Sequence, residues 1–321
     1  MNLDLVALAR NPVPSGAVVG TFKGFDGAPL RFARWRPTRG PTRGTVCCFT
    51  GRSEYIEKYF ETVADLRRRG FNVAIMDCRG QGGSKRALAN PRKGHITDFA
   101  DYTNDIAFFM KECVLPDCPP PYYALAHSMG GHLLLRHASE TGSWFDRLVV
   151  TAPMLAFHPS RVNAPEPVAR SYAALSYRLG FGSLYVRGGS DEAGDLEPFA
   201  GNHLTSDRER YERNQALAVA ADKLLIGSPT IGWLHAAYRS MDLLTDPDYG
   251  AKVKIPTLLF VAMQDTIVAP RPIEDFAARL KVGKAVLLNS SRHEILQETD
   301  QIRADFWAAF DAYLGIVAPV A

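Results

Sequence analysis

A serine, an aspartate and a histidine, each set just beyond an apolar run, are the residues of this chain best placed to do chemistry together. Ser128 lies in Ala126-His127-Ser128-Met129-Gly130, after the apolar stretch Tyr122-Tyr123-Ala124-Leu125 and before small residues that open a helix. This order predicts a strand, a sharp turn and a helix. It has the form of the nucleophile elbow G-x-S-x-G, in which a strained turn pushes a serine clear of the backbone. Ala126 replaces the first Gly and adds one methyl group. The competing reading of the segment is a serine that caps an ordinary helix. A hydroxyl is a poor nucleophile at neutral pH, so it needs a base, and the base needs an acid to orient it. Asp265 follows the apolar run Ile255–Met263, which reads as a strand buried on both faces. His293 follows the run Ala285-Val286-Leu287-Leu288, in the loop Asn289–Glu294. The order Ser, Asp, His along the chain, each residue at a strand end, is the pattern of an acyl-transfer triad.

The other histidines fit less well. His127 lies inside the elbow, where the side chain is expected to point away from the serine. His132 and His137 fall on the helix that follows. His95 precedes another helix, and His158, His203 and His235 fall in a strand-poor region. Acyl transfer also needs backbone N–H groups aimed at the developing oxyanion. Met129 follows the nucleophile and would supply one. The other is expected from Thr50-Gly51-Arg52-Ser53-Glu54, the loop after the apolar run Thr45–Phe49, with the N–H of Arg52 as donor. The competing reading there is a plain strand-to-helix turn.

These residues need a frame. Residues 17–36 alternate and contain Asp26-Gly27, which predicts an antiparallel hairpin. From Thr45 onward, predicted strands (Thr45–Phe49, Phe71–Met76, Leu148–Val150) alternate with predicted helices (Glu54–Arg69, Phe99–Lys111, Arg271–Lys281), as in a mostly parallel sheet. The rhythm stops from about Leu155 to Ser240, where helices are predicted around Tyr172–Leu175 and Ala216–Leu225. The expected organisation is a core of residues 17–154 and 241–321, a helical cap of residues 155–240, and an N-terminal extension of residues 1–16. Basic and acidic residues balance in the cap, nine of each. Trp233, Phe157, Phe181 and Tyr185 are candidates to line an acyl pocket, with Tyr238 beside them.

Bulk properties fit this frame. The chain has 321 residues, 46% hydrophobic and 22% charged, with net charge +3. That balance gives no basis for a nucleic-acid partner. The 5 cysteines have neither regular spacing nor metal-site spacing with histidines, so reduced thiols and no metal are expected. The first ten residues lack a basic start followed by a long apolar stretch, so no secretory signal is expected. No apolar run reaches the length needed to span a bilayer.

Four blocks now carry a resemblance. Thr50-Gly51-Arg52-Ser53-Glu54 occupies the place of an oxyanion loop in which many relatives carry His where Thr50 stands. Asp77-Cys78-Arg79-Gly80-Gln81-Gly82-Gly83-Ser84 resembles a D-x-R-G-x-G-x-S loop. His127-Ser128-Met129-Gly130-Gly131 resembles an H-S-M-G-G elbow. Asn202–Tyr211 resembles a lid segment. Together they make the chain similar to the α/β-hydrolase superfamily, and within it to the bacterial lysophospholipase and monoacylglycerol lipase group, also called serine aminopeptidase-like hydrolases. The resemblance implies an α/β-hydrolase fold: a mostly parallel sheet flanked by helices, with a helical cap inserted after strand 6. It implies a serine esterase without cofactor, with Ser128, Asp265 and His293 as triad and Arg52 and Met129 as oxyanion donors. Its substrate would be a small acyl ester, a lysophospholipid or a monoacylglycerol. The reduced thiols point to the cytoplasm, with a peripheral contact at the inner membrane face left open. Two alternatives stand beside it: another triad enzyme, of aminopeptidase or cofactor-free haloperoxidase type, and a non-catalytic binding protein on the same fold.

Overall fold

In a computed structural model, which describes residues 4–316 apart from 39, 141–142 and 162–163, the apolar runs pair into one sheet. Its strands are β1 (Val18–Lys23), β2 (Pro29–Trp35), β3 (Thr45–Phe49), β4 (Asn72–Met76), β5 (Tyr122–His127), β6 (Arg147–Thr151), β7 (Thr257–Ala262) and β8 (Gly283–Leu288). The spatial order is β1-β2-β4-β3-β5-β6-β7-β8. Strands β4 to β8 and β3 run parallel, while β2 joins β4 antiparallel and pairs with β1 as the expected hairpin. Every residue of β3, β4 and β7 is buried, as strands covered on both faces require. The hairpin loop closes through Gly27 at φ 81, a left-handed conformation open to glycine.

The helices are α1 (Phe60–Arg68), α2 (Ala100–Phe109), α3 (Met129–Glu140), α4 (Glu166–Ser176), α5 (Arg208–Ala220), α6 (Ile231–Thr245), α7 (Tyr249–Lys252), α8 (Pro270–Arg279) and α9 (Asp300–Leu314). Two begin elsewhere than their periodicity predicts. The helix expected from Glu54 starts at Phe60, after a 3-10 turn over Ile56–Tyr59. The Ile56 amide donates to Asp77 Oδ1 at 2.9 Å and the Gly51 amide to Glu54 Oε2 at 2.5 Å, which holds the chain in a loop. The helix expected over Ala216–Leu225 begins eight residues earlier, because Asp207 caps it by accepting from the Arg210 amide at 2.8 Å.

Among the described residues from 152 to 256 no strand joins the sheet. Helices α4 to α7 lie in this region, and α6 runs straight through residue 240. The region is tied to the core by backbone and side-chain bonds. Thr230 N donates to the Gly94 carbonyl at 2.9 Å, Gly227 N to the Arg92 carbonyl at 2.7 Å, and Arg86 Nη2 to the carbonyls of Lys223 and Leu224 at 3.0 Å each. Phe306 of α9 packs on Phe260 of β7 with ring centroids 4.7 Å apart. Buried aromatic contacts of this kind add about 0.5–1.5 kcal/mol beyond the area they bury.

Candidate active site

Strand β5 ends at His127 and α3 begins at Met129, so Ser128 makes the turn alone, at φ 51. A non-glycine residue held there costs about 1–3 kcal/mol. The surroundings hold it. Ser128 N donates to the Thr151 carbonyl, and the Ser128 carbonyl accepts from the amides of His132 and Met154, each at 3.0 Å. The glycines after it let the helix approach the sheet. A Cβ at Gly130 would lie 2.3 Å from the Phe49 carbonyl oxygen, and one at Gly131 would lie 2.6 Å from Val150 Cγ1. Ala126 stands in the buried part of β5, opposite Phe49 and Val150, with its methyl group accommodated.

Ser128, His293 and Asp265 come together. The Ser128 hydroxyl donates to His293 Nε2 at 2.9 Å, and His293 Nδ1–H donates to Asp265 Oδ2 at 2.6 Å. The protonation pattern is the one this network requires, since a carboxylate can only accept. The second carboxylate oxygen, Oδ1, accepts from the amides of Ile267 at 2.7 Å and Val268 at 3.1 Å. Burial disfavours the imidazolium of His293, but the charge of Asp265 and its hydrogen bond outweigh it, and the pKa is raised above 6.5. Burial likewise disfavours the carboxylate of Asp265, but His293 and the two amides outweigh that, and the pKa is lowered. The neighbouring acids are engaged elsewhere. Glu294 accepts from Lys58 Nζ at 2.7 Å, and the exposed Asp300 accepts from Arg210 at 2.6 Å. Ser128 is 7% exposed, so the hydroxyl lies under cover.

The loop Gly51–Glu54 lies beside this group. Among the described residues no carbonyl accepts from the backbone amides of Arg52 or Met129, which leaves both donors available. Glu54 and Gln81 hold the loop, and sequence reasoning missed both. Glu54 Oε2 accepts from the Gly51 amide and from the Tyr59 hydroxyl at 2.6 Å, and Gln81 Nε2 donates to the carbonyls of Gly51 at 2.7 Å and Glu54 at 3.0 Å. Lys58 Nζ lies 3.6 Å from Glu54 Oε1. An acid and a lysine four residues apart read as a solvated helix face, so their spacing gave no sign of burial. The position of Gln81 in the Asp77–Ser84 block was a signal that could have found it. That block is a folded brace. Asp77 Oδ2 accepts from Arg31 Nε at 2.6 Å and from the Gly83 amide at 2.7 Å, and a Cβ at Gly82 would meet Asp77 Cγ at 2.2 Å.

His127 points to Thr151, with Nδ1 3.2 Å from its carbonyl and 3.1 Å from its hydroxyl. Its ring also lies 4.7 Å from that of His293. Burial holds its pKa down to about 4, so it faces His293 as a neutral group. Asn202–Tyr211 is braced against the loop that carries His293. The Glu294 amide donates to the Leu204 carbonyl at 2.8 Å, Arg292 Nη1 donates to the carbonyls of Asn202 at 3.1 Å and Thr205 at 3.2 Å, and Glu298 accepts from the amides of Ser206 at 3.0 Å and Arg292 at 2.8 Å.

Of the aromatic candidates, Trp233 and Phe157 meet, with ring centroids 6.3 Å apart, and Tyr238 packs on Phe157 at 5.5 Å. Trp233 is buried and also contacts Phe99 at 5.7 Å. Phe181 and Tyr185 stand outside this group. Phe181 is 49% exposed, and the Tyr185 hydroxyl donates to Asp191. Among the described residues no three His, Cys, Asp or Glu side chains are placed to hold a metal ion.

Residues 40–300 match the family described as serine aminopeptidase, S33. Lysophospholipase L2 of Escherichia coli is 32% identical over 294 residues, covering 88% of this chain and 83% of that protein. A monoglyceride lipase of Rattus norvegicus is 23% identical over 223 residues, covering 69% of this chain and 68% of that one. Among solved structures, a soluble variant of the monoglyceride lipase of Saccharomyces cerevisiae superposes with a TM-score of 0.74 at 21% identity, over 94% of this chain and 97% of the other. The matched span, most of the chain, and the sheet beneath it show that this chain belongs to the serine aminopeptidase family of α/β-hydrolases.

Proposed function

We propose that this chain, a carboxylic ester hydrolase, cleaves a single-chain lipid ester, a lysophospholipid or a monoacylglycerol, with Ser128, His293 and Asp265 as its triad. The observation that carries the reading is the continuous hydrogen-bonded line from Ser128 Oγ through His293 to Asp265. Ser128 Oγ attacks the acyl carbonyl while His293 Nε2 takes its proton. The amides of Arg52 and Met129 hold the resulting oxyanion. His293 returns the proton to the leaving alcohol, and water then releases the acyl group by the same steps. Asp265 fixes the imidazole and stabilises its cation. The relatives named lysophospholipase and monoglyceride lipase support the substrate class.

The helical region from residue 155 acts as the cap in this reading, extended through the end of α6 at Thr245. Trp233 and Phe157 form its apolar lining, and Phe181 and Tyr185 lie at its rim. Activity should therefore rise from acetyl to medium-chain p-nitrophenyl esters. Trp233→Ala should lower kcat/KM about tenfold more for a long-chain ester than for the acetate, since one buried aromatic is worth about 1.5–3 kcal/mol of apolar contact. An equal loss on both esters would reduce the cap to scaffold. The same panel should include aminoacyl anilides, because the family's description names a peptidase. Faster cleavage of the anilides would move the assignment to amide bonds.

No helix among the described residues is long and apolar enough to cross a membrane. The five cysteines are free and buried, which supports a reducing, cytoplasmic setting. The cap nevertheless carries an apolar stripe. Val168, Tyr172, Leu175 and Leu179 recur at helical spacing along α4 and the turn Tyr177–Phe181, and each is exposed. This face supports peripheral contact with a lipid surface. The double substitution Leu175→Glu with Leu179→Glu should cut partitioning onto phosphatidylcholine vesicles by at least about tenfold, measured by co-sedimentation. Unaltered partitioning would remove the membrane from the proposal.

A further inference from the structure

Most arginines buried among the described residues have carboxylate partners, although Arg67 donates only to the Arg36 carbonyl at 2.7 Å. Arg31 pairs with Glu57 at 2.7 Å and Asp77 at 2.6 Å, and Arg79 with Asp26 at 2.7 Å and Asp105 at 2.8 Å. Arg303 lies against Asp65 at 2.5 Å and Glu61 at 3.4 Å. Arg86 lacks a carboxylate but donates to the carbonyls of Gly80, Gly82, Lys223 and Leu224 at 2.9–3.1 Å. Arg52 departs from this pattern. Nη2 donates to the Gly227 carbonyl at 2.6 Å and Nη1 to Ser53 Oγ at 3.0 Å. The guanidinium carbon lies 5.3 Å from the centre of the Trp233 ring. Its Nε is buried without an acceptor, and no carboxylate pairs with it among the described residues. Burial pulls its pKa down to about 10, so it keeps its charge at neutral pH. Two of the five N–H bonds of a guanidinium are in use. Among the described residues the other three have no protein acceptor, and the charge meets the Trp233 ring but no carboxylate.

Arg52 is half-buried with its Nε covered, and a cation held there against the Trp233 ring without a carboxylate is placed to take an anion. This one grows from the loop that carries a proposed oxyanion donor and ends against Trp233 of the cap. We propose that the Arg52 guanidinium binds a phosphate group on the alcohol part of the ester, so that the substrate is an acylated glycerophosphate rather than a neutral acylglycerol. The inference rests on the ester-hydrolase reading above. An acyl chain carries no charge, so an anion on such a substrate sits on its alcohol part. Phosphate oxygens match the planar fork of arginine and make stronger, charge-assisted bonds than a carbonyl does. They would take the place of the Gly227 carbonyl as the cap parts from Arg52 to admit the lipid.

The test compares kcat/KM for lauroyl lysophosphatidylcholine and monolauroylglycerol, which share one acyl chain, in the parent protein and in Arg52→Gln and Arg52→Lys. The ratio, phosphorylated over neutral, is expected to fall about 100-fold in Arg52→Gln, the scale of losing one partner of a charge-assisted pair. It should fall less in Arg52→Lys, which keeps the charge and loses the fork. Inorganic phosphate should also inhibit p-nitrophenyl butyrate hydrolysis competitively in the parent and more weakly in Arg52→Gln. A ratio that stays constant while both rates drop, in either variant, would make Arg52 a structural tie between loop and cap and overturn the proposal. Inhibition by phosphate without a change in ratio would mean a free-anion site and would overturn it too. A parent protein that cleaves neither ester would sink the ester reading itself, an outcome distinct from the others.

Discussion

Ser128→Ala should remove ester turnover, a loss on the order of 10⁴–10⁶ in kcat, while the protein still unfolds cooperatively near the parent temperature. The reasoning separates what the residue does from how it is held. The turn is held by backbone bonds, Ser128 N to the Thr151 carbonyl and the amides of His132 and Met154 to the Ser128 carbonyl, and alanine keeps all three. Alanine at φ 51 carries the same Cβ as serine, so the strain of the turn is unchanged. What disappears is the Oγ that donates to His293 Nε2 at 2.9 Å. No covalent intermediate can form without it. Only the oxyanion donors and substrate binding remain, and in triad enzymes these leave a small residual rate. Labelling by a serine-reactive fluorophosphonate should vanish in parallel. A variant that still takes the label would show that another hydroxyl is the nucleophile.

The frame of this site was legible because it follows from local rules. Apolar runs such as Thr257–Ala262 need both faces covered, so they fall into the centre of a parallel sheet, and the loops after them collect at one edge. Asp265 and His293 could therefore be placed by their position after β7 and β8 without knowledge of any contact. The helix boundaries were less legible. The residues before Phe60 have helical periodicity, and side chains remote in sequence, Asp77 above all, take the amides that a helix would use. The shell around the proposed triad was hidden for a related reason. Glu54, Lys58 and Glu294 are polar, and nothing in their spacing distinguishes a buried cluster from a solvated face. Their burial is decided by how the segment Thr50–Tyr59 packs against the loop that carries Glu294. Arg52 illustrates the same limit. Its proposed backbone role follows from the position after Gly51, while the lack of a carboxylate for its side chain emerges only when Gly227 and Trp233 lie against it.

Asp265→Asn should lower turnover by about 10³–10⁴ with the fold intact, and the reason is visible in how the carboxylate is seated. Oδ1 is fixed by the amides of Ile267 and Val268, which can only donate. In the variant the amide oxygen must take that place, so the NH₂ group faces His293 Nδ1. The imidazole then accepts at Nδ1 and carries its proton on Nε2, where it cannot receive one from Ser128. The pH dependence gives an independent reading. In the parent the base works when neutral, so kcat/KM should rise with pH through a pKa raised above 6.5, the elevation coming from Asp265 against the opposing effect of burial. Without that charge the rise should move to lower pH. Stability should respond as well. His293 contributes stability that is complete below 6.5 and fades as pH rises through its raised folded pKa. Asp265 contributes stability that is present above 3.8 and fades as pH falls through its lowered folded pKa. Between those values both contributions act, and there the Asn variant should lose most against the parent in urea denaturation. Turnover within tenfold of the parent, or a pH profile that does not shift, would mean that Asp265 is not the acid that orients His293.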